Sequence, residues 1–192
     1  MSSITCRDLL LLLLGLDDPE REGLGGITRL QKYVFLLEKE AHVKPTRGGF
    51  EFTPYKAGPY SSRLYDDLEF LENLGFIESE VTAESTEEES AEVDYTFEDL
   101  IEPEQQSEQH TKPEADAYEE RRFFVTDKGK VRVKQLLEEK DYAPIVGRIC
   151  GLRKKFGKYS LNDLLYYVYK RYPEMTTESE IREKVLRRYS RQ

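Results

Sequence analysis

The stretch FEFTPYKAGPYSSRLYDDLEFLENLGFIE, residues 50–78, constrains the fold more than any other part of the chain. Phe50, Phe52 and Tyr55 form a partly alternating aromatic run that suits a short strand. Gly58-Pro59 is expected to break it, because glycine accepts strained backbone and proline presets φ for a first helical position. Leu64, Leu68, Leu71 and Leu74 recur at helical spacing and predict a helix over about Tyr60 to Leu74. Gly75 supplies a left-handed stop, and Phe76-Ile77 restart extended structure at once. A helix running through Leu-Gly-Phe-Ile into a strand points to a helix followed by a β-wing. That is the form of a binding module.

Two helices precede this stretch. Residues 4–15 predict the first, with Ile4 and the run Leu9 to Leu14 buried nearly all round. The run is six leucines flanked by Arg7-Asp8 and Asp17-Asp18, far short of the roughly 20 apolar residues of a membrane span. It also lacks the basic flank and cleavage site of a signal peptide, so a cytoplasmic protein without membrane contact is expected. After a loop through Asp17-Asp18-Pro19, Gly23, Gly25 and Gly26, a second helix is predicted from Ile27 to about Ala41. Ile27, Leu30, Val34, Leu37 and Ala41 make its apolar stripe, and Tyr33, Phe35 and Leu36 broaden it. Arg29, Gln31, Lys32 and Lys39 are expected on its exposed side.

Charge divides the rest of the chain. Residues 1–79 hold nine Lys and Arg against thirteen Asp and Glu. Residues 80–120 hold one basic residue, Lys112, against sixteen acidic ones, whereas residues 121–192 hold nineteen basic and nine acidic. The middle segment is an acidic, Glu/Ser/Thr/Gln/Pro-rich insertion expected to be largely disordered, interrupted by the island Val93 to Ile101, VDYTFEDLI. It reads either as a long solvated wing loop or as an acidic mask or docking motif. Order is expected to return at Arg121. Phe123-Phe124-Val125 is a strand able to pair with Phe76 to Val81, and Thr126 is an N-cap candidate for a fourth helix with Val131, Val133, Leu136 and Leu137. A helix over 142–156 buries Ile145, Val146, Ile149 and Leu152 and ends in Arg153-Lys154-Lys155. Ser160 with Asp163 approximates a capping box for a helix with Leu161, Leu164, Leu165, Val168 and Tyr172 on one face. Thr177 with Glu180 repeats the device for a last helix that buries Ile181, Val185, Leu186 and Tyr189. Residues 1–79 and 121–192 are expected to pack as one domain around the 80–120 insertion.

Material for catalysis is thin. The chain has no glycine-rich phosphate loop, no G-x-S-x-G and no H-E-x-x-H. Two cysteines, Cys6 and Cys150, and two histidines, His42 and His110, give little with which to build a triad or a zinc site. The paired Asp66-Asp67 has no His or third acid beside it and reads as a solvated helix face. No catalytic residue, metal site or cofactor is assigned. With no sign of secretion, both thiols are expected to be reduced.

The words Ile27-Thr-Arg-Leu-Gln-Lys-Tyr-Val-Phe-Leu, Tyr55-Lys-Ala-Gly-Pro-Tyr-Ser and Leu-Gly-Phe-Ile resemble, in this order, the prokaryotic winged-helix-like group around the Panacea (SocA-like antitoxin) domain. Closer still are proteins of the YwgA type, which add a segment like Leu164-Leu-Tyr-Tyr-Val-Tyr-Lys-Arg-Tyr-Pro-Glu-Met. The resemblance covers about residues 4–79 and 121–180. It implies a mainly α (α+β), winged-helix-like helical domain with a small β-wing and additional C-terminal helices. It also implies gene regulation, toxin neutralisation or phage defence by DNA or protein contact. Leu30, Gln31, Lys32, Tyr55, Gly58, Pro59 and Tyr60 match its motifs.

Two departures are the long connection between the second and third helices and the acidic insertion in the wing. Two ligand readings follow. A DNA-binding face would use Arg121, Arg122, Arg153, Lys154, Lys155, Lys158, Arg182, Arg187 and Arg188, basic residues suited to phosphate. A protein-binding face, for a toxin or a defence-system component, would use Tyr55, Gly58, Pro59, Tyr60 and Arg63. The acidic insertion could also lie over the basic helices and compete with nucleic acid. Oligomeric state is left open by the sequence.

Overall fold

The computed structural model describes residues 4–16, 26–46, 48–82 and 120–188. The loop at 17–25, nearly all of the acidic insertion with its Val93–Ile101 island, His110, Tyr189 and Arg191 lie outside the described residues. The described chain is mainly helical, with two small antiparallel sheets. Helix α1 spans Cys6–Gly15 and is capped by Thr5, whose side chain accepts from the Asp8 amide. Ile4 and Leu9 through Leu14 are buried. A helix apolar all round is stable only when surrounded, and α3 (Ser62–Asn73), the strand Glu120–Val125 and the helix Asp127–Glu138 pack against it. Among the described residues no helix is long and apolar enough to cross a membrane.

Helix α2, Ile27–Lys39, is buried continuously from Leu30 to Leu37. The expectation that Gln31 and Lys32 face solvent is overturned. They are 1% and 2% exposed, because α2 is covered both by later helices and by a hairpin.

That hairpin consists of β1 (Thr53–Tyr55) and β2 (Gly58–Tyr60), paired Thr53 to Tyr60 and Tyr55 to Gly58 around a two-residue loop. Two sequence expectations are corrected here. Phe50 and Phe52 precede the strand, with Phe50 fully buried and its amide donating to Glu38 Oε1 at 2.9 Å. Gly58-Pro59 does not start a helix. Gly58, at φ +85°, turns the corner into β2, and α3 is capped instead by Ser61, whose Oγ accepts from the Leu64 amide.

Leu64, Leu68 and Leu71 of α3 enter the core, while Leu74 is 42% exposed, outside the stripe expected for it. Asp67 is also a correction. It is buried beside α1, accepting from Arg7 Nε at 2.7 Å, while Asp66 remains exposed. Gly75, at φ +69°, ends the helix region as expected. Strand β3 (Ile77–Thr82) then pairs antiparallel with β4 (Glu120–Val125), from Ile77 opposite Val125 to Thr82 opposite Glu120.

Thr126 caps α4 (Asp127–Glu138) by accepting from the Gly129 amide, and its Oγ1 donates to the Gly75 carbonyl at 2.7 Å. One hydroxyl thus locks the end of α3 to the start of α4. Val133 and Leu136 are buried, whereas Val131 and Leu137, expected on the same face, are 60% and 45% exposed. Helix α5 (Ala143–Phe156) buries Ile145, Ile149, Leu152 and Phe156. Helix α6 (Leu161–Arg171) carries the full Ser160–Asp163 capping box. The second box does not form. Thr177 follows a 3-10 turn at Pro173–Thr176, the Glu180 amide donates to the Lys56 carbonyl, and α7 begins only at Arg182, running to Arg188. That bond fastens the C-terminal segment to the β1–β2 hairpin. One hydrophobic cluster runs from Ile4 to Val185.

Candidate partner-binding site

The hairpin is held from beneath by two polar side chains of α2. Gln31 acts as a strand edge would: its Nε2 donates to the Ser61 carbonyl at 3.0 Å and its Oε1 accepts from the Ser61 amide at 3.1 Å. Lys32 Nζ donates to the Pro59 carbonyl at 3.1 Å, and complete burial lowers its pKa from 10.5 to about 7. Ser61 Oγ also donates to the Phe50 carbonyl in a short hydrogen bond. From the other side, Tyr169 of α6 packs on Gly58 and hydrogen-bonds Ser179 Oγ at 2.7 Å. A Cβ at Gly58 would lie 2.9 Å from the Tyr169 ring, so both the backbone and the packing require glycine. Gln31→Leu removes the two bonds to a buried amide and carbonyl. We expect it to lower unfolding stability by about 2 kcal/mol in urea titrations.

The hairpin and the first turns of α3 bring Tyr55, Gly58, Pro59, Tyr60 and Arg63 together. Tyr55 and Tyr60 rings stand 4.9 Å apart at 35°, and Tyr60 and Tyr65 5.8 Å apart at 39°. All three are half-buried, forming a tilted ladder from β1 across β2 onto α3. Burial, then Tyr55 and Asp66 nearby, raise the Tyr60 pKa. Tyr55, Ala57, Gly58, Pro59 and Tyr60 line a cavity together with Gln31 and Lys32; about 10 Å³ of it is open to the centre of a water, at the threshold for one water molecule. Arg63 is partly covered, with Nη1 3.8 Å from Glu51 Oε1. Tyr65 was not singled out by sequence, since residues 55, 60 and 65 fit neither helical nor strand spacing.

The basic residues lie on three separate elements and the segment after one of them. Arg121 and Arg122 lie on β4, Arg153, Lys154 and Lys155 in the last turn of α5 with Lys158 beyond it, and Arg182, Arg187 and Arg188 on α7. Arg122 is half-buried. Arg187 pairs with Glu183 at 2.8 Å. Lys155 is exposed but committed to partners: Nζ lies 2.7 Å from Glu40 Oε2 and donates to Tyr167 Oη at 3.1 Å. Glu40 also accepts from Tyr167 and Tyr172. Burial opposes its ionisation, but the bonds from Lys155 and the two tyrosines win and hold its carboxyl below the ordinary value. Burial, reinforced by Glu40, pushes Tyr172 up to about 12. This cluster joins α2, α5 and α6. Lys154, Lys155, Lys158, Arg182 and Arg187 are exposed, with Lys155 and Arg187 held in ion pairs.

Burial pushes the Cys6 thiol up to about 11, which leaves it protonated and unreactive at neutral pH. Among the described residues no group of three or more His, Cys, Asp and Glu stands close enough to hold a metal ion. The chain matches no protein-family model and no curated protein sequence.

Proposed function

We propose that the protein is a non-catalytic, winged-helix-type regulatory module of the antitoxin or defence-associated kind. It acts in the cytoplasm by binding a partner protein through the β1–β2 hairpin and α3. The observation that carries this reading is the partly buried Tyr55–Tyr60–Tyr65 ladder, whose hairpin is fixed from below by Gln31 and Lys32. Rigid tyrosines on a supported scaffold anchor interfaces with little ordering entropy. The likeness of its motifs to the YwgA and Panacea group supports the regulatory class, and α3 followed by β3 and β4 supports the winged-helix description.

Two features favour protein over DNA as the ligand of α3. A helix-turn-helix joins its helices by three or four residues, whereas residues 40–61 separate α2 from α3. The outer side of α3 carries Asp66 and Glu69, which phosphate repels. The second reading, DNA binding by the C-terminal face, is favoured by the exposure of Lys154, Lys158 and Arg182.

The test pairs a photoreactive residue at position 55, in extract of the source cells, with fluorescence anisotropy on duplex DNA at two salt concentrations. A discrete protein adduct that disappears in Tyr60→Ala is the expected result. DNA binding that weakens steeply with salt and is lost in a Lys154→Glu, Lys158→Glu double variant, with no adduct, would reverse the order of the readings.

A further inference from the structure

Resting on the second reading, in which the C-terminal face meets DNA, we infer that α5 is the element that enters the major groove of duplex DNA, with its cations on the phosphates beside the groove. Helix α5, Ala143–Phe156, contains no acidic residue. Arg148, Lys154 and Lys155 along it and Lys158 just beyond it are exposed. Lys155 is committed to Glu40 at 2.7 Å, so the charge offered outward is that of Arg148, Lys154 and Lys158. The same ion pair, with a hydrogen bond from Arg148 Nη1 to the His42 carbonyl at 2.9 Å, seats the end of α2 and the residues after it against this helix. Exposed Lys39 and Lys44 belong to that segment and carry the positive surface past the edge of α5. Positive charge spread in this way complements a phosphate backbone.

The outward face of α5 has the profile of a groove helix. Ile145, Ile149, Leu152 and Phe156 turn inward and are buried. Opposite them stand Gly147, Gly151, Lys154 and, in the following turn, Lys158, spaced by four, three and four. Among the described residues, a Cβ at Gly147 or Gly151 would meet no atom within 4 Å, so packing beneath the helix does not ask for glycine, and glycine is disfavoured inside a helix. What the two glycines change is the outside: they let the helix axis come closer to a partner than a full side chain allows. The major groove is about 12 Å wide and admits a helix about 10–12 Å across. The row from Gly147 to Lys158 runs for about 16 Å along the axis. Exposed Glu139 and Asp141 precede α5, so its later turns make the approach.

Other elements and other partners fit this chemistry less well. Helix α3 presents Asp66 and Glu69, which phosphate repels. Helix α7 is seven residues long, and its Arg187 is paired with Glu183. A protein interface needs large apolar anchors, and the exposed large hydrophobic residues, Phe70, Leu74, Val131 and Leu137, lie on α3, after it or on α4, with none on α5. Duplex RNA has a deep, narrow major groove that a helix does not enter, which makes DNA the duplex that α5 fits.

The experiment titrates the full chain into a fluorescein-labelled DNA duplex and a labelled RNA duplex of the same mixed sequence, reading anisotropy at two salt concentrations. DNA is expected to bind at least about tenfold more tightly than RNA. Gly147→Leu and Gly151→Leu add bulk without charge to the outward face. Each should weaken DNA binding by about tenfold or more while melting no lower than the parent, because leucine is the better helix former. Lys154→Gln with Lys158→Gln should lower the slope of log affinity against log salt by about two. Equal binding of the two duplexes, or parental DNA affinity in both leucine variants, overturns the groove assignment. DNA binding that survives these changes and is lost in Arg182→Gln moves the contact to α7 and leaves the second reading standing. Absence of DNA binding by the parent chain overturns the inference and the second reading together.

Discussion

Lys32→Met is expected to stabilise the protein at pH 6 and to flatten its stability profile above neutrality. Lys32 is fully buried, and among the described residues its hydrogen bond goes to the neutral Pro59 carbonyl rather than to a carboxylate. Desolvation lowers its folded-state pKa from 10.5 to about 7. Between those values the unfolded chain binds more protons than the folded one, so stability rises with pH across the window. Below pH 7 both states are protonated, and the penalty stands in full, at up to about 5 kcal/mol. Methionine fills a similar volume without the charge but leaves the Pro59 carbonyl unpaired, which returns roughly 1–3 kcal/mol. A net gain of about 2 kcal/mol at pH 6 follows. Urea titrations at pH 6, 7 and 9 check it. The parent chain should gain about 2 kcal/mol between pH 7 and 9, and Lys32→Met should show no such rise. Above pH 9 the comparison is no longer clean, because the buried Cys6 thiol, held up to about 11, pulls the other way. Equal slopes in both proteins would assign the pH dependence to other groups. Because Lys32 supports the hairpin through Pro59, the same titration reports how firmly the tyrosine ladder is held.

Much of the scaffold was legible because its signals are local. Thr126, the Ser160–Asp163 box and Gly75 each act through a bond or a φ value within a few residues, and each does so at the expected place. The pairing of Ile77 with Val125 was legible from two apolar runs that bracket the acidic insertion. The candidate site was harder to read. Gly-Pro serves a hairpin corner as well as a helix start, and what fixes Gly58 in β2 is Tyr169, more than a hundred residues away in sequence. Gln31 and Lys32 look like solvent-facing letters in an amphipathic pattern, because their partners are backbone groups of Pro59 and Ser61, which no pattern displays. Thr177 and Glu180 have capping-box spacing but no helix between them to cap, and the Glu180 amide is used by Lys56 instead. Local chemistry was readable, and long-range backbone partners were not.

Gly129→Ala is expected to separate α4 from the β3–β4 sheet, with a loss of about 3–5 kcal/mol. An added Cβ would lie 2.0 Å from the Phe76 carbonyl oxygen and 2.6 Å from a Val125 methyl. The first of these is backbone at the junction of α3 and β3, so no side-chain rotation relieves it. The junction itself is tightly made: the Thr126 amide donates to that same Phe76 oxygen, and Lys128 Nζ donates to the Leu74 carbonyl at 2.6 Å. Glycine inside a first helical turn is disfavoured by about 1 kcal/mol relative to alanine, so its presence there calls for a reason, and the close approach supplies one. Gly147→Ala is the matched control. It lies exposed in α5 with no atom within 4 Å of the new Cβ, and helix propensity alone should stabilise it by about 0.5–1 kcal/mol. Thermal unfolding of the two variants should therefore move in opposite directions, Gly129→Ala downward by roughly 10 °C. A neutral Gly129→Ala would mean that α4 does not seat against Phe76. In that case the β3–β4 sheet would be hinged to α3 rather than fixed to it, and the α3 surface carrying Tyr65 would lose the rigid backing that the proposed partner recognition requires.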